Sequence, residues 1–148
     1  MTIYSEKLNP PIGLTISTLL LIPGFALMLG PFNWYFAFVI GVAVTIAVNV
    51  LLYNFSPSIV VTDTELVLGK AVIPLSVLSN PIAKTGDDAF KARGPELTPD
   101  TYFQIRGGID PVVSVENIDP EDPYNKVLIS TRHPENLVDA LASAVKAN

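Results

Sequence analysis

LNPPIGLTISTLLLIPGFALMLGPFNWYFAFVIGVAVTIAVNVLLYNFSPSIVVT, residues 8–62, contains no charged side chain. Lys7 closes the stretch on one side and Asp63 on the other, leaving 55 consecutive uncharged positions in a chain of 148. A water-soluble domain cannot keep so long a run wetted. A bilayer accommodates it, and at about 20 residues per helical crossing the run suffices for two. The sequence reads as an integral membrane protein.

Gly30-Pro31-Phe32-Asn33 divides the run, because glycine and proline interrupt a helix. The expected crossings are residues 11–29 and 34–55, with Pro11 in a first helical turn and Asn33 as an N-cap. Pro23-Gly24 predicts a kink in the first. Aromatic residues collect at the expected surfaces: Tyr4, Tyr53 and Phe55 at one, Phe32, Trp34 and Tyr35 at the other. Two crossings return the chain to its starting side. No Lys or Arg occupies the turn, and Lys7 and Lys70 lie beyond the ends, so the positive-inside tendency puts both termini in the cytoplasm. A cleaved signal peptide is disfavoured: Lys7 makes a faint basic start, and Phe25, Leu27 and Met28 stand where a small-residue cleavage site belongs.

Ala37, Gly41, Thr45 and Asn49 recur every four residues and form one small or polar stripe, a candidate helix–helix interface. Gly13 and Ser17 offer a matching pair on the first helix. The stripe serves packing within the hairpin, a dimer contact, or docking to another transmembrane helix. No Asp, Glu, Lys, Arg or His lies within the run, so an ion-coupled transporter lacks its usual parts.

Beyond the run the pattern changes to short aliphatic segments, at residues 59–62, 66–68, 71–75, 102–106, 112–116 and 127–131. Gly69-Lys70 suits a two-residue hairpin loop. Leu137, Val138, Leu141, Ala144 and Val145 form one apolar face of a closing helix, residues 134–147, with Glu135 in its first turn and Lys146 in its last. The expected fold is therefore α+β. Residues 1–56 make a transmembrane hairpin, and residues 57–148 make a small antiparallel β domain of pleckstrin-homology-like order, closed by the C-terminal helix. The net charge of −5 falls on this second part, which argues against nucleic acid as a partner. The chain has no cysteine and one histidine, His133, which removes thiolate chemistry and a His-rich metal site. Nothing implies a cofactor.

The order of segments carries a resemblance. An apolar hairpin is followed by Val60-Val61-Thr62-Asp63-Thr64-Glu65-Leu66, Ile73-Pro74-Leu75 and Gly94-Pro95-Glu96-Leu97, and then by residues 128–135, LISTRHPE. The chain resembles, over nearly its whole length, a family of small actinobacterial membrane proteins known only as a domain of unknown function. The resemblance implies a bacterial plasma-membrane location and no activity.

Three polar groups remain to be read. Residues 84–100 look like a long loop, a surface excursion in which Lys91 and Arg93 are the candidate contact for a partner carboxylate or a lipid phosphate. Asp119, Glu121 and Asp122 lack the glycine and terminal Glu of a calcium loop and read as an acidic turn between strands. Arg132-His133-Pro134-Glu135 reads as a helix start, and Ser130 and Thr131 as strand-end or capping hydroxyls rather than nucleophiles. The expectation is a non-enzymatic membrane protein whose hairpin anchors a cytoplasmic interaction domain that binds a protein or self-associates. The alternatives are an accessory subunit of a larger membrane complex and, last, an enzyme.

Overall fold

A computed structural model describes residues 1–147, with side chains as far as residue 145. The Lys146 side chain, expected in the last helical turn where a cation is favoured, lies outside the described residues. The chain divides into two compact units. One is Asn9–Ser56, and the other joins Met1–Leu8 to everything from Pro57 onward. The first eight residues were expected with the hairpin. They belong instead to the β unit.

That unit begins with β1 (Thr2–Lys7). After the hairpin come β2 (Ser58–Thr62), β3 (Glu65–Leu68) and β4 (Ala71–Pro74). These make one antiparallel sheet in the order β1-β2-β3-β4. Alternation drives it: Ile59 and Val61 on β2 and Leu66 and Leu68 on β3 point inward, and their neighbours point out. Gly69, at φ +60, opens the two-residue loop between β3 and β4 as expected. β1 adds to β2 with Ser5 opposite Val60 and Lys7 opposite Ser58. Its polar sequence, with Ile3 the one aliphatic side chain in it, hides a strand that is held by pairing more than by burial.

The second sheet contains β5 (Leu78–Lys84), β6 (Thr101–Gln104), β7 (Val112–Asn117) and β8 (Lys126–Ser130) in the order β5-β7-β8-β6. β5 escaped the sequence reading because Asn80-Pro81 interrupts it. Its pairing with β7 shifts register between Ser79 and Ile82, and Asn80 takes the left-handed conformation at φ 50 that asparagine tolerates. The sheet is not wholly antiparallel as expected. β6 runs parallel to β8, because two chain reversals separate them and β7 lies on the other side of β8.

Valines and leucines on β7 and β8 serve two cores. Val113, Val115, Val127 and Ile129 face the main core, shared with the first sheet, while Val112 and Leu128 face a smaller one with Ala89 and Ala92. Burial on both faces explains why these strands lack clean alternation. Ala89 and Ala92 belong to α4 (Gly86–Arg93), within the segment that reads as a loop. Its apolar face is only two alanines wide, so no hydrophobic period announced it. Asp87 and Asp88 in the first turn and Lys91 and Arg93 in the last complement the helix dipole. The closing helix, labelled α5 (Pro134–Ala147), buries Leu137, Leu141 and Ala144 in the main core, packed most closely on β5.

In the other unit, α1 (Ile12–Ser17), a 3₁₀ turn (Thr18–Leu20) and α2 (Leu21–Leu29) form one helical span, and α3 (Trp34–Asn54) the second. Both are long and apolar enough to cross a membrane. Pro11 caps the first span instead of entering it, its carbonyl accepting from the Leu14 and Thr15 N–H groups. The 3₁₀ turn falls where the Pro23 ring meets the carbonyl four residues back, at Leu19. The Asn33 side chain accepts from Phe36 N–H at 3.1 Å, as an N-cap should. Ala37, Gly41 and Thr45 are buried against the first span. A Cβ on Gly41 would stand 3.0 Å from Ile22 Cα and 3.1 Å from its carbonyl oxygen.

That backbone contact generates a prediction. Gly41→Leu should force the spans apart at a cost of about 1–3 kcal/mol. Thermal unfolding of the chain in detergent should register the loss, while Ala43→Leu, on an exposed face of the same helix, should melt like the parent.

Candidate functional site

The segment before α5 is organised by a carboxylate from the far end of the sequence. Glu6 on β1 accepts from Thr131 Oγ1 at 2.5 Å, from the Tyr4 hydroxyl at 2.7 Å and from Arg132 N–H at 3.0 Å. Thr131 is fully buried, and its oxygen also accepts from His133 N–H at 3.1 Å. The His133 carbonyl then takes the Leu137 N–H, so helix α5 starts there. Ser130 is buried too, and its hydroxyl accepts from Arg106 N–H at 3.2 Å. His133 and Glu135 sit exposed at the helix start. These are structural assignments for the hydroxyls, in line with their sequence reading. Hydrogen bonds to a charged acceptor are worth about 1.5–3 kcal/mol each, so the Glu6 node is a substantial link between β1 and α5.

Tyr4, half-buried in this node, has its phenol pushed up to about 12. Burial, which disfavours the phenolate, is the main cause. The Thr131 hydrogen bond opposes the rise, and the hydrogen bond and negative charge of Glu6 add to it.

Lys91 and Arg93 do not form one contact. Two residues apart on α4, they project to different sides. Arg93 reaches Asp110 Oδ1 with two guanidinium nitrogens at 3.3 Å and the Ala89 carbonyl with a third at 3.2 Å. This ties α4 to the chain between β6 and β7. Lys91 lies 4.0 Å from Asp88 and is exposed, so it alone of the two is presented to solvent.

The acidic turn between β7 and β8 is held by its own carboxylates. Asp119 Oδ1 accepts from Glu121 N–H at 3.0 Å, and Asp122 Oδ1 from Tyr124 N–H at 2.9 Å. Asn117 donates to Asp122 Oδ2 at 2.9 Å and to the Tyr124 carbonyl at 2.8 Å. Such side-chain turns account for the composition. Among the described residues, no group of three or more acidic or histidine side chains is placed to hold a metal ion.

Beside this turn lies a cleft of about 270 Å³ lined by Ala71, Val72, Ile73, Tyr102, Asn117, Asp122, Tyr124 and Val127. A second cleft of about 290 Å³, with Pro99, Thr101 and Phe103, shares Tyr102 and Tyr124. Those two rings meet edge to face, with centroids 5.6 Å apart. The cleft marks the seam where β4, the last strand of one sheet, and β6, the last of the other, leave their outer edges unpaired. Sequence reading missed it because its parts lie far apart in the chain.

The small stripe on α3 is occupied inside the hairpin. Thr45 Oγ1 donates to the Gly41 carbonyl at 2.7 Å, and Asn49 Nδ2 to Thr18 Oγ1 at 2.7 Å and the Thr45 carbonyl at 2.9 Å. Its partners are Thr18 and Ile22, not the expected Gly13 and Ser17. Ser17 bonds back to the Gly13 carbonyl at 2.8 Å and is exposed, and nothing stands within 4 Å of a Cβ built on Gly13.

A family model described as "Protein of unknown function (DUF3093)" matches residues 3–141. The chain belongs to this family. The DUF3093 match opens inside β1 and ends inside α5, so it takes in the strand before the hairpin, the hairpin and both sheets. No curated protein and no solved structure matches the chain.

The Tyr4 environment predicts a pH dependence. A phenol raised from 10.0 to about 12 favours the neutral form when folded. Its contribution to stability is fully present below pH 10 and is lost as pH rises through that interval. Thermal melts between pH 9.5 and 11.5 should fall less steeply for Tyr4→Phe than for the parent, with tyrosinate absorbance reporting the late-ionising group.

Proposed function

We propose that the chain is a two-pass integral protein of a bacterial plasma membrane, whose hairpin anchors a cytoplasmic, non-enzymatic interaction domain. The pairing of β1 with β2 carries this reading. These strands flank the apolar run on either side, and one antiparallel ladder joins them, with Leu8 N–H donating to the Pro57 carbonyl at 2.9 Å. A chain that leaves the domain at Leu8 and re-enters it at Pro57 crosses a bilayer an even number of times. Cleavage after the first span would remove a strand from the sheet, which counts against a signal peptide.

The surface of the hairpin supports the same reading. Few of its residues are buried, and large apolar side chains such as Ile12, Leu20, Phe36 and Val39 are more than half exposed. Core helices of a soluble protein hide such residues, and a bilayer covers them. Phe32, Trp34 and Tyr35 at the turn and Tyr53 and Phe55 at the other end suit the headgroup level. Two sheets closed by a C-terminal helix support a pleckstrin-homology-like architecture for the domain, with β1 and the parallel β6 as departures. The accessory-subunit alternative loses its candidate surface, because the stripe of Ala37, Gly41, Thr45 and Asn49 packs within the hairpin.

The chain has no cysteine, so single introduced cysteines report sidedness directly. With a membrane-impermeant maleimide, Phe32→Cys should react in intact cells. Ser5→Cys and Glu121→Cys should react only after permeabilisation. Labelling of Ser5→Cys and Glu121→Cys from opposite sides would overturn the two-pass reading, and a full reversal would overturn the cytoplasmic assignment.

A further inference from the structure

The geometry points to the seam between β4 and β6 as the docking site of an extended, basic peptide segment from a partner protein, inserted as an added strand. This inference rests on the reading of the β unit as an interaction domain and gives that domain a site and a class of partner.

The backbone comes first. Across the two-residue loop, Leu68 and Ala71 form the hydrogen-bonded pair, so Val67 opposite Val72 is a non-hydrogen-bonded pair. The N–H and C=O of Val72 therefore point away from β3, toward the open side of the sheet. Pro74, two residues on, has no N–H to offer there, which is the position proline takes on an edge strand. The edge is thus kept short. It accepts a brief extended segment and resists the indefinite pairing of a long bare strand. Opposite it, β6 has β8 on one side and, among the described residues, no strand on the other.

Side chains in the seam ask for a ligand with backbone-like polarity and apolar bulk. Gln104 follows Tyr102 by two residues on β6 and shares its strand face. Its Nε2 is buried with no hydrogen-bond partner, and its Oε1 lies 4.0 Å from where a Cβ on Gly69 would stand. An amide donor left so costs about 1–3 kcal/mol, which a turn of the Gln104 side chain toward the carbonyl of an entering strand would recover. Val72 is 55 % exposed and Phe103 56 %, apolar side chains that an alternating partner strand covers.

Charge selects the class of peptide. Asp122 lines the cleft, Asp119 and Glu121 share its turn, and Asp100 lies beside it, bonded through Asn125. Hydrogen bonds from Thr98 and then Asn125 hold the Asp100 carboxyl below the usual range, so it stays ionised. Against these four acids stand Lys126, beside Asp100, and Lys70, at the β3–β4 loop. The rim is net acidic, and the complement is a segment alternating apolar and Lys or Arg residues.

The test uses the full chain in lipid nanodiscs and two fluorescent ten-residue probes, one alternating valine with lysine and one alternating valine with glutamate, read by anisotropy. The lysine probe should bind saturably and the glutamate probe should not. Val72→Pro, which removes an outward N–H, and Glu121→Lys, which reverses an exposed charge of the rim, should each weaken the lysine probe by at least about tenfold. Both variants should melt like the parent. If Val72→Pro unfolds, Val72→Lys, which keeps the N–H and adds a like charge at an exposed position of the edge, should weaken the lysine probe in its place. Equal binding of both probes, no binding of either, or binding untouched by the seam variants overturns the inference. So does probe-independent dimerisation lost in Val72→Pro, which would give the edge to a second copy. The interaction-domain reading itself fails separately, if cross-linking in native membranes captures no partner at any surface of the β unit.

Discussion

Lys7 stands opposite Ser58, and the whole apolar run lies between them. This one ladder decides what the chain is. Without it, residues 1–8 are a tail and β2 is a bare sheet edge. With it, the hairpin becomes an insertion within a single domain. Closing so long a loop costs entropy that grows as the logarithm of its length. A pair of helices of near-equal length lowers that cost. At 1.5 Å per residue, the 18-residue and 21-residue spans are about 27 and 32 Å long, so the hairpin returns the chain close to the level it left. Gly41 against Ile22 and Asn49 against Thr18 hold the two spans together.

From the paired strands the domain builds outward. Glu6 reaches from β1 to Thr131 and Arg132 and sets the start of α5, which then buries Leu137 and Leu141 over the main core. The N-terminal strand is thereby fixed at two places: by backbone pairing to β2 and by a carboxylate at the beginning of the last helix. On the far side of β7 and β8, α4 closes a second small core and is latched by Arg93 to Asp110. The two sheets meet over the main core, yet they do not close into a barrel at β4 and β6. The open edges of β4 and β6 leave a cleft between them, lined by Val72 and Tyr102.

Strong patterns were legible in the sequence. The uncharged run, its division at Gly30-Pro31, the Asn33 cap, the Gly69 loop and the apolar face of α5 each announce themselves through composition or period. The resemblance to a family of unknown function was legible too, on the LISTRHPE segment. The elements that escaped are those whose stability comes from distant partners. β1 is polar and is held by β2 and Thr131; β5 is broken by Asn80-Pro81; α4 turns only Ala89 and Ala92 inward. For the same reason Lys91 and Arg93 looked like neighbours, when a helix sends them to different sides. The cleft unites Val72, Tyr102 and the Asp122–Tyr124 turn from three places in the chain, and no local spacing encodes that.

The direct test of the central claim is a cross-link across the hairpin. Ser5 and Val60 face each other in the β1–β2 ladder, and the chain carries no cysteine of its own. The double variant Ser5→Cys/Val60→Cys, made in the full chain and oxidised in isolated membranes, should form an intramolecular disulfide in high yield. Ser5→Cys/Val67→Cys, one strand further away at about 10 Å, should not. Absence of the first cross-link, or equal yields from both pairs, would contradict a domain completed by the strand that precedes the hairpin.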